Sequence, residues 1–133
     1  MTSAPWLIHF FESTDGSVPA IQFLDAVPTA VVAEFEAILD AVAEAPPPAF
    51  SGGGKWEVMH GEMSGFYEAR VQHSGTNYRL FCVLERDATD LGGSSIVVID
   101  GLSKPRRTAA RPKEYRRAIG LLGEFRVSRR VVR

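Results

Sequence analysis

Cysteine is nearly absent from the sequence, which has one, Cys82, in 133 residues. A single cysteine excludes an internal disulfide and a cysteine-rich metal site, and it suits a reducing compartment. Long apolar runs are missing as well. The N-terminal stretch MTSAPWLIHFFE has no basic residues at its start and ends at Glu12, which is too short and wrongly flanked for a signal peptide or a membrane span. We therefore expect a cytoplasmic protein without a membrane segment.

Positive charge is scarce in the first 100 residues. They hold four Lys or Arg against fourteen Asp or Glu, a balance of −10, whereas residues 101–133 hold eleven against two, a balance of +9. Two interpretations remain open: the C-terminal third meets a polyanion or an acidic partner, or it pairs with the acidic part of its own fold. Histidine is also missing from this third, which removes the usual acid–base group from it.

Length and composition predict a single domain, because 133 residues with 45% hydrophobic and 23% charged side chains can bury one core. Periodicity and turn signals predict, in order, a strand at 6–12, helices from Pro19 and from Thr29, a hairpin of 65–71 with 76–84, a strand at 94–102 and a helix from Pro112. This order predicts an α+β fold, a small antiparallel sheet with two N-terminal helices and a C-terminal helix on one face. Residues 1–125 form the predicted domain and 126–133 a basic C-terminal tail. The segment 52–55 lacks the spacing of a phosphate loop and is interpreted as part of a linker.

Two arginines interrupt the apolar hairpin. Alternation puts Arg70 and Arg79 on one face and assigns Tyr78, Leu80, Cys82 and Leu84 to the core face. Two like charges repel unless an anion lies between them, and two candidates remain open: the carboxylate of Glu68, or a bound phosphate, which guanidinium groups match bidentately. Lys104 follows the third apolar run, and further cations follow it: Arg106, Arg107, Arg111 and Lys113. These residues predict a site for a phosphate chain, and the alternative is a solvated basic surface.

Three runs that contain these residues resemble the RelE/ParE toxin superfamily, and most of all its HigB branch of phage-derived Gp49-like proteins. The runs are Gly65-Phe-Tyr-Glu-Ala-Arg70, Tyr78-Arg-Leu-Phe81 and Val97-Val-Ile-Asp-Gly-Leu-Ser-Lys104, followed by a basic helix. The resemblance implies a RelE-like fold and the toxin of a bacterial type II toxin–antitoxin pair. Such toxins are usually endoribonucleases that cut mRNA on the ribosome without a metal or other cofactor. A cognate antitoxin, a small helix-turn-helix protein, is the implied partner.

The resemblance also implies roles for individual residues. Arg70 and Arg79 fall at basic positions of the two hairpin strands, Lys104 opens a segment where two lysines are common, and Tyr115 falls near a tyrosine of the terminal helix. These four are the implied catalytic residues, and the implied RNA-binding residues are Arg106, Arg107, Arg111 and Lys113. Pro105 departs from the pattern, and Tyr115 has an alternative role as the first aromatic of the helix's apolar stripe. The same fold also serves non-enzymatic gyrase inhibitors of the ParE type, and a degenerate homologue would bind only its antitoxin; the sequence does not decide among the three.

Overall fold

The computed structural model describes residues 4–46, 49–50, 52–105 and 112–133, and within them the chain folds as an α+β protein. The strands are β1 (Leu7–Phe11), β2 (Trp56–Val58), β3 (Tyr67–His73), β4 (Thr76–Glu85), β5 (Ser95–Pro105) and β6 (Val131–Val132). The helices are α1 (Pro19–Asp25), α2 (Thr29–Glu44) and α3 (Pro112–Ser128). The two N-terminal helices, the hairpin and the C-terminal helix predicted from the sequence are confirmed. None of the helices in these ranges has the length and apolar content needed to cross a membrane.

The described strands form one sheet in the order β2-β3-β4-β5-β1-β6. Strands β2 to β5 pair in antiparallel fashion, as does β6 with β1, but β1 runs parallel to β5. The sheet is therefore mixed rather than purely antiparallel. Residues 12–94 connect β1 to β5, a connection long enough for parallel pairing. Two strands were not predicted, since β2 and β6 have three and two residues, too few for an alternation to show.

The turn between β3 and β4 has two residues. Ser74 and Gly75 have φ angles of 48° and 79°, and a type I′ hairpin turn requires positive φ at both central positions. From this turn the residues of β3 and β4 pair one by one, and the fourth pair is Arg70 with Arg79. The sequence predicted a longer loop between the strands, and the structure instead extends both strands to within two residues of each other. A tight turn fixes the register and with it the position of the two arginines.

Helices cover both faces of the sheet, so the prediction that they lie on one face is wrong. On the first face α1 and α2 pack over a core that includes Val31, Phe35, Leu39, Val42, Ala69, Leu80, Cys82 and Val98. On the second face α3 packs over a core that includes Phe66, Phe81, Val83, Ile99, Ala118, Leu122 and Phe125. The alternation along β4 separated its two faces correctly. The prediction assigned only the face of Leu80 and Cys82 to the core, whereas the face of Phe81 and Val83 is also buried. The apolar stripe of α3 needs a surface to cover, and the second face supplies it.

The last eight residues belong to the fold rather than to a separate tail. Helix α3 runs past residue 125, and β6 then pairs with β1 at the edge of the sheet. Arg129 is hydrogen-bonded to Glu85 and to Asp90, and Arg130 donates to Glu12 at 2.8 Å. Part of the basic C-terminal third thus pairs with the acidic part of its own fold, which was one of the two interpretations of the charge distribution.

Candidate anion-binding site

Arg70 and Arg79 direct their guanidinium groups at one carboxylate. Arg70 donates from Nε to Oε1 of Glu68 at 2.5 Å, and Arg79 donates from Nη1 to Oε2 of Glu68 at 3.5 Å. The register explains this arrangement, because Arg70 and Arg79 are opposite each other and Glu68 lies two residues before Arg70 on the same face of β3. Of the two anions that the sequence left open, the carboxylate of Glu68 lies between the arginines.

Glu68 lies at the bottom of the site. Its side chain is 2% exposed, whereas those of Arg70 and Arg79 are 40% and 19% exposed. Burial of a carboxylate is costly unless hydrogen bonds and opposite charges compensate for it, and the two guanidiniums supply both. A guanidinium has five N–H groups, so one bond to Glu68 does not exhaust its donors. The arginines can therefore contact Glu68 on one side and a ligand from solvent on the other.

A second carboxylate lies beside the first. Glu57 on β2 pairs with Glu68 on β3, and Oε2 of Glu57 is 3.6 Å from Nη1 of Arg70. The side chain of Glu57 is 47% exposed, so this carboxylate is open to solvent while that of Glu68 is not. Like charges directly opposite each other repel, and Arg70, which contacts both, offsets the repulsion. Sequence reasoning missed Glu57 because β2 was not predicted; the only signal was one polar residue between Trp56 and Val58.

Lys104 joins the same face from β5. It pairs with Asn77, which lies two residues before Arg79 on β4. The pKa of the Lys104 ammonium group is lowered from its usual value, first by burial and then by the positive charge of Arg79, while Glu68 acts in the opposite direction. The pairing with Asn77 and the alternation along β4 place Lys104 on the same side of the sheet as Arg79.

The structure thus brings together three of the predicted catalytic residues, Arg70, Arg79 and Lys104. We call the face that they share with Glu57 and Glu68 the arginine face. Its five side chains carry three positive charges against two negative charges. The two arginines keep their charge at any physiological pH. The carboxylate of Glu114 on α3 also acts on Lys104 and raises its pKa, so an acidic group opposes the positive charge of this face from α3 as well.

An open pocket of about 380 Å³ lies between α2 and the hairpin. Glu34 of α2 lines it with Val71 and Tyr78, which belong to the face that α2 covers, and residues 53–55, Arg70, Asn77 and Arg79 also contribute to its wall. The Oδ1 atom of Asn77 is buried and has no hydrogen-bond partner among the described residues. The segment interpreted from sequence as part of a linker therefore forms one wall of this pocket and adds the cation of Lys55 to it. The volume lies within the range of pockets that bind small ligands.

The other predicted site residues lie beside the arginine face or outside the described residues. The ring of Tyr115 meets Phe81 edge-on, with 5.9 Å between the ring centroids, and packs against the second core. This contact fits the alternative role of Tyr115 as part of the apolar stripe. Phe81 pairs with Glu68, so Tyr115 borders the site through that ring. Lys113 is exposed in the first turn of α3. Arg106, Arg107 and Arg111 lie outside the described residues.

A buried acid beneath α3 was not predicted. Asp100 on β5 is 2% exposed, and its Oδ2 lies 3.2 Å from Nε of Arg117 on α3. Burial raises the pKa of the Asp100 carboxyl above its usual value, while a backbone hydrogen bond and the charge of Arg117 act in the opposite direction. Asp100 and Glu68 pair with the same residue, Phe81, from opposite sides. Phe81 therefore separates Asp100 from the arginine face, and the contact of Asp100 is with α3.

No three or more His, Cys, Asp or Glu side chains in the described part of the chain are grouped so as to hold a metal ion. Comparison with known proteins identifies no relative: no family model matches the chain, and neither a curated protein nor a solved structure matches it. The likeness to RelE/ParE toxins thus stays a resemblance of short runs. The geometry of the arginine face is therefore the main structural indication of function.

Proposed function

We propose that the protein is the toxin of a bacterial type II toxin–antitoxin pair and acts in the cytoplasm as a ribosome-dependent endoribonuclease on mRNA. The observation that carries the proposal is the direct opposition of Arg70 and Arg79, with Lys104 on the same face. Pairs of guanidinium groups suit phosphate oxygens in geometry and charge. The resemblance to the RelE/ParE superfamily supplies the class of reaction.

The proposed reaction proceeds without a metal or cofactor. The 2′-hydroxyl of one nucleotide attacks the adjacent phosphorus; its oxygen forms a bond to phosphorus while the bond from phosphorus to the 5′-oxygen breaks. The products are a 2′,3′-cyclic phosphate and a 5′-hydroxyl. The protein has to accept the proton of the 2′-hydroxyl, stabilise the negative charge of the phosphorane and donate a proton to the 5′-oxygen.

The side chains of the arginine face can divide these tasks. Arg70 and Arg79 bind the non-bridging oxygens and stabilise the phosphorane. Glu57 is the solvent-accessible carboxylate of the face and accepts the proton of the 2′-hydroxyl, whereas the buried Glu68 holds the guanidiniums. Lys104, whose pKa is lowered by burial and by the charge of Arg79, donates the proton to the 5′-oxygen. The cations that contact the RNA backbone are Arg106, Arg107, Arg111 and Lys113.

A cognate antitoxin, a small helix-turn-helix protein, is the proposed partner, and mRNA on the ribosome is the proposed substrate. An acidic or amphipathic segment of the antitoxin that docks on the basic surface would keep RNA away from it. RNA binding should weaken steeply with salt, by a slope of about 0.7 in log K per phosphate neutralised. The salt dependence therefore counts the phosphates that the protein contacts.

The proposal is tested with purified ribosomes programmed with one mRNA. We expect the wild-type protein to cut this mRNA within the coding sequence and Arg79→Gln to lose the activity while it keeps its circular dichroism spectrum. Arg130→Gln is the matched control, because Arg130 is also paired with a carboxylate, that of Glu12, and lies near β1 and β6 at the opposite edge of the sheet. Intact mRNA in the presence of folded wild-type protein would reject the endoribonuclease. DNA damage signalling with unchanged mRNA in cells would then favour a gyrase inhibitor, and antitoxin binding without toxicity a degenerate homologue.

A further inference from the structure

We propose that Glu68 is an internal competitor of the substrate phosphate: its carboxylate occupies the anion position between Arg70 and Arg79 and limits the affinity of the arginine face for anions. The inference rests on the proposed function in one respect, that the anion is an RNA phosphate. It describes how that same site selects its ligand.

Two features of the geometry support this inference. First, the carboxylate of Glu68 accepts a hydrogen bond from each guanidinium, as the oxygens of a phosphate would. Second, Glu68 is held in place: it is 2% exposed and lies on β3, an inner strand of the sheet, so it cannot turn into solvent when another anion arrives. The two partly exposed guanidiniums are what a ligand meets first. A bound phosphate and Glu68 would therefore share the same two arginines.

Sharing the arginines has a cost for the ligand. A phosphate and the Glu68 carboxylate are both negative, and they would lie a few ångströms apart in a partly buried site where dissolved salt screens them little. One isolated phosphate should thus bind weakly. A longer RNA gains further contacts from its neighbouring phosphates and overcomes the repulsion. Glu68 would in this way discriminate between an RNA chain and the free phosphate and nucleotides of the cytoplasm.

Glu68 can also strengthen anion binding, because it orients the two guanidiniums. Glutamine keeps the shape of the side chain and an acceptor oxygen for Arg70, removes the negative charge, and replaces the oxygen that accepts from Arg79 with an NH2 group. If orientation dominates, Glu68→Gln weakens anion binding. If competition dominates, as we propose, Glu68→Gln strengthens it.

The test is a calorimetric titration of inorganic phosphate into the wild-type protein and into Glu68→Gln. We expect the dissociation constant of phosphate to fall about tenfold in the variant, since one repelling charge is removed from the site. Binding of a short RNA should show a salt slope steeper by about 0.7, because one more cation is available to phosphate. Glu36→Gln on α2 is the matched control, since it makes the same charge change on an exposed helix surface and should leave both values unchanged. Unchanged or weaker phosphate binding in folded Glu68→Gln overturns the proposal.

A second pair of variants covers the case in which Glu68→Gln does not fold, because this substitution leaves two like charges opposite each other. Arg70→Gln is compared with the double variant Arg70→Gln/Glu68→Gln, in which one charge of each sign is gone. The double variant should bind phosphate more tightly than the single variant. Equal or weaker binding in the double variant contradicts the role of Glu68 as a competitor.

These outcomes are separate from those of the ribosome assay. If wild-type protein leaves mRNA intact while Glu68→Gln binds phosphate more tightly, the proposed function fails and Glu68 still competes with an anion at this site. If wild-type protein cuts mRNA and Glu68→Gln does not bind phosphate more tightly, the function stands and Glu68 is only a positioning residue for the arginines.

Discussion

Replacement of Arg79 by glutamine should separate the activity of the protein from its stability. The bond from Arg79 to the buried Glu68 is long, 3.5 Å, whereas that from Arg70 is 2.5 Å. A buried polar group that loses a partner destabilises a protein by about 1–3 kcal/mol. Since the closer partner Arg70 remains, we expect the free energy of unfolding to fall by about 1 kcal/mol, the lower end of that range.

The expected loss of activity is larger than the loss of stability. Removal of one preorganised donor from a site that stabilises a transition-state charge lowers the rate by about 100- to 1000-fold, or about 3–4 kcal/mol. The side chain of Arg79 is less exposed than that of Arg70, 19% against 40%, so solvent screens its charge less. The assay is single-turnover cleavage of mRNA on ribosomes, with urea unfolding of the same protein samples. Arg130→Gln should show wild-type cleavage in the same experiment.

Two results would refute this reasoning. The first is unchanged cleavage by folded Arg79→Gln, because the guanidinium would then not contact the reacting phosphate. The second is a cleavage loss that matches the unfolded fraction and is as large in Arg130→Gln, because the effect would then be one of stability alone. Either result removes the argument that the arginine face binds a phosphate.

Three further predictions concern the acid–base chemistry and the packing. Lys104→Arg should abolish the fall in cleavage rate at alkaline pH, because the lysine, with its lowered pKa, loses its proton as pH rises while arginine keeps its charge. An unchanged fall in rate at alkaline pH would exclude Lys104 as the proton donor. Gly101→Ala should destabilise the protein by about 1–3 kcal/mol in urea, because its Cβ would clash with the ring of Phe23. Gly123→Ala on the open side of α3 should stabilise it by about 0.5–1 kcal/mol. Equal effects of the two substitutions on the free energy of unfolding would contradict the packing. Burial raises the pKa of Asp100, so its contribution to stability is present below about pH 4 and is lost as pH rises through the folded-state pKa. Asp100→Asn should therefore gain stability relative to wild type as pH rises above about 4. A stability difference that does not change with pH would argue against the raised pKa.

Local signals predicted the elements that are long and periodic. The apolar spacing of Thr29–Glu44 is visible over four turns, and the hairpin strands alternate over seven and ten residues, so both were predicted from sequence. The same alternation placed Arg70 and Arg79 on one face. The direct pairing of the two arginines depends on the tight turn at Ser74 and Gly75, where both residues have positive φ angles. Serine is not a residue that predicts a positive φ angle at the first position of such a turn, so the sequence did not indicate it.

Contacts between distant parts of the chain could not be predicted from local sequence patterns. The parallel pairing of β1 with β5 and the packing of α3 on the second face depend on which surfaces remain uncovered once the hairpin has formed. Glu57 reaches the arginine face from a strand of three residues, which has no periodicity of its own. The sequence left two anions possible between the arginines, the carboxylate of Glu68 and a phosphate. The strand register and the burial of the Glu68 side chain show that this carboxylate lies between Arg70 and Arg79.

The most direct test of the central claim, that the arginine face acts on RNA phosphates, is the mapping of 5′ ends in total RNA from cells that express the wild-type protein or Arg79→Gln. We expect new 5′-hydroxyl ends inside coding regions with the wild-type protein and none with the variant. Growth arrest by the wild-type protein without new ends, or the same ends with Arg79→Gln, would contradict the claim.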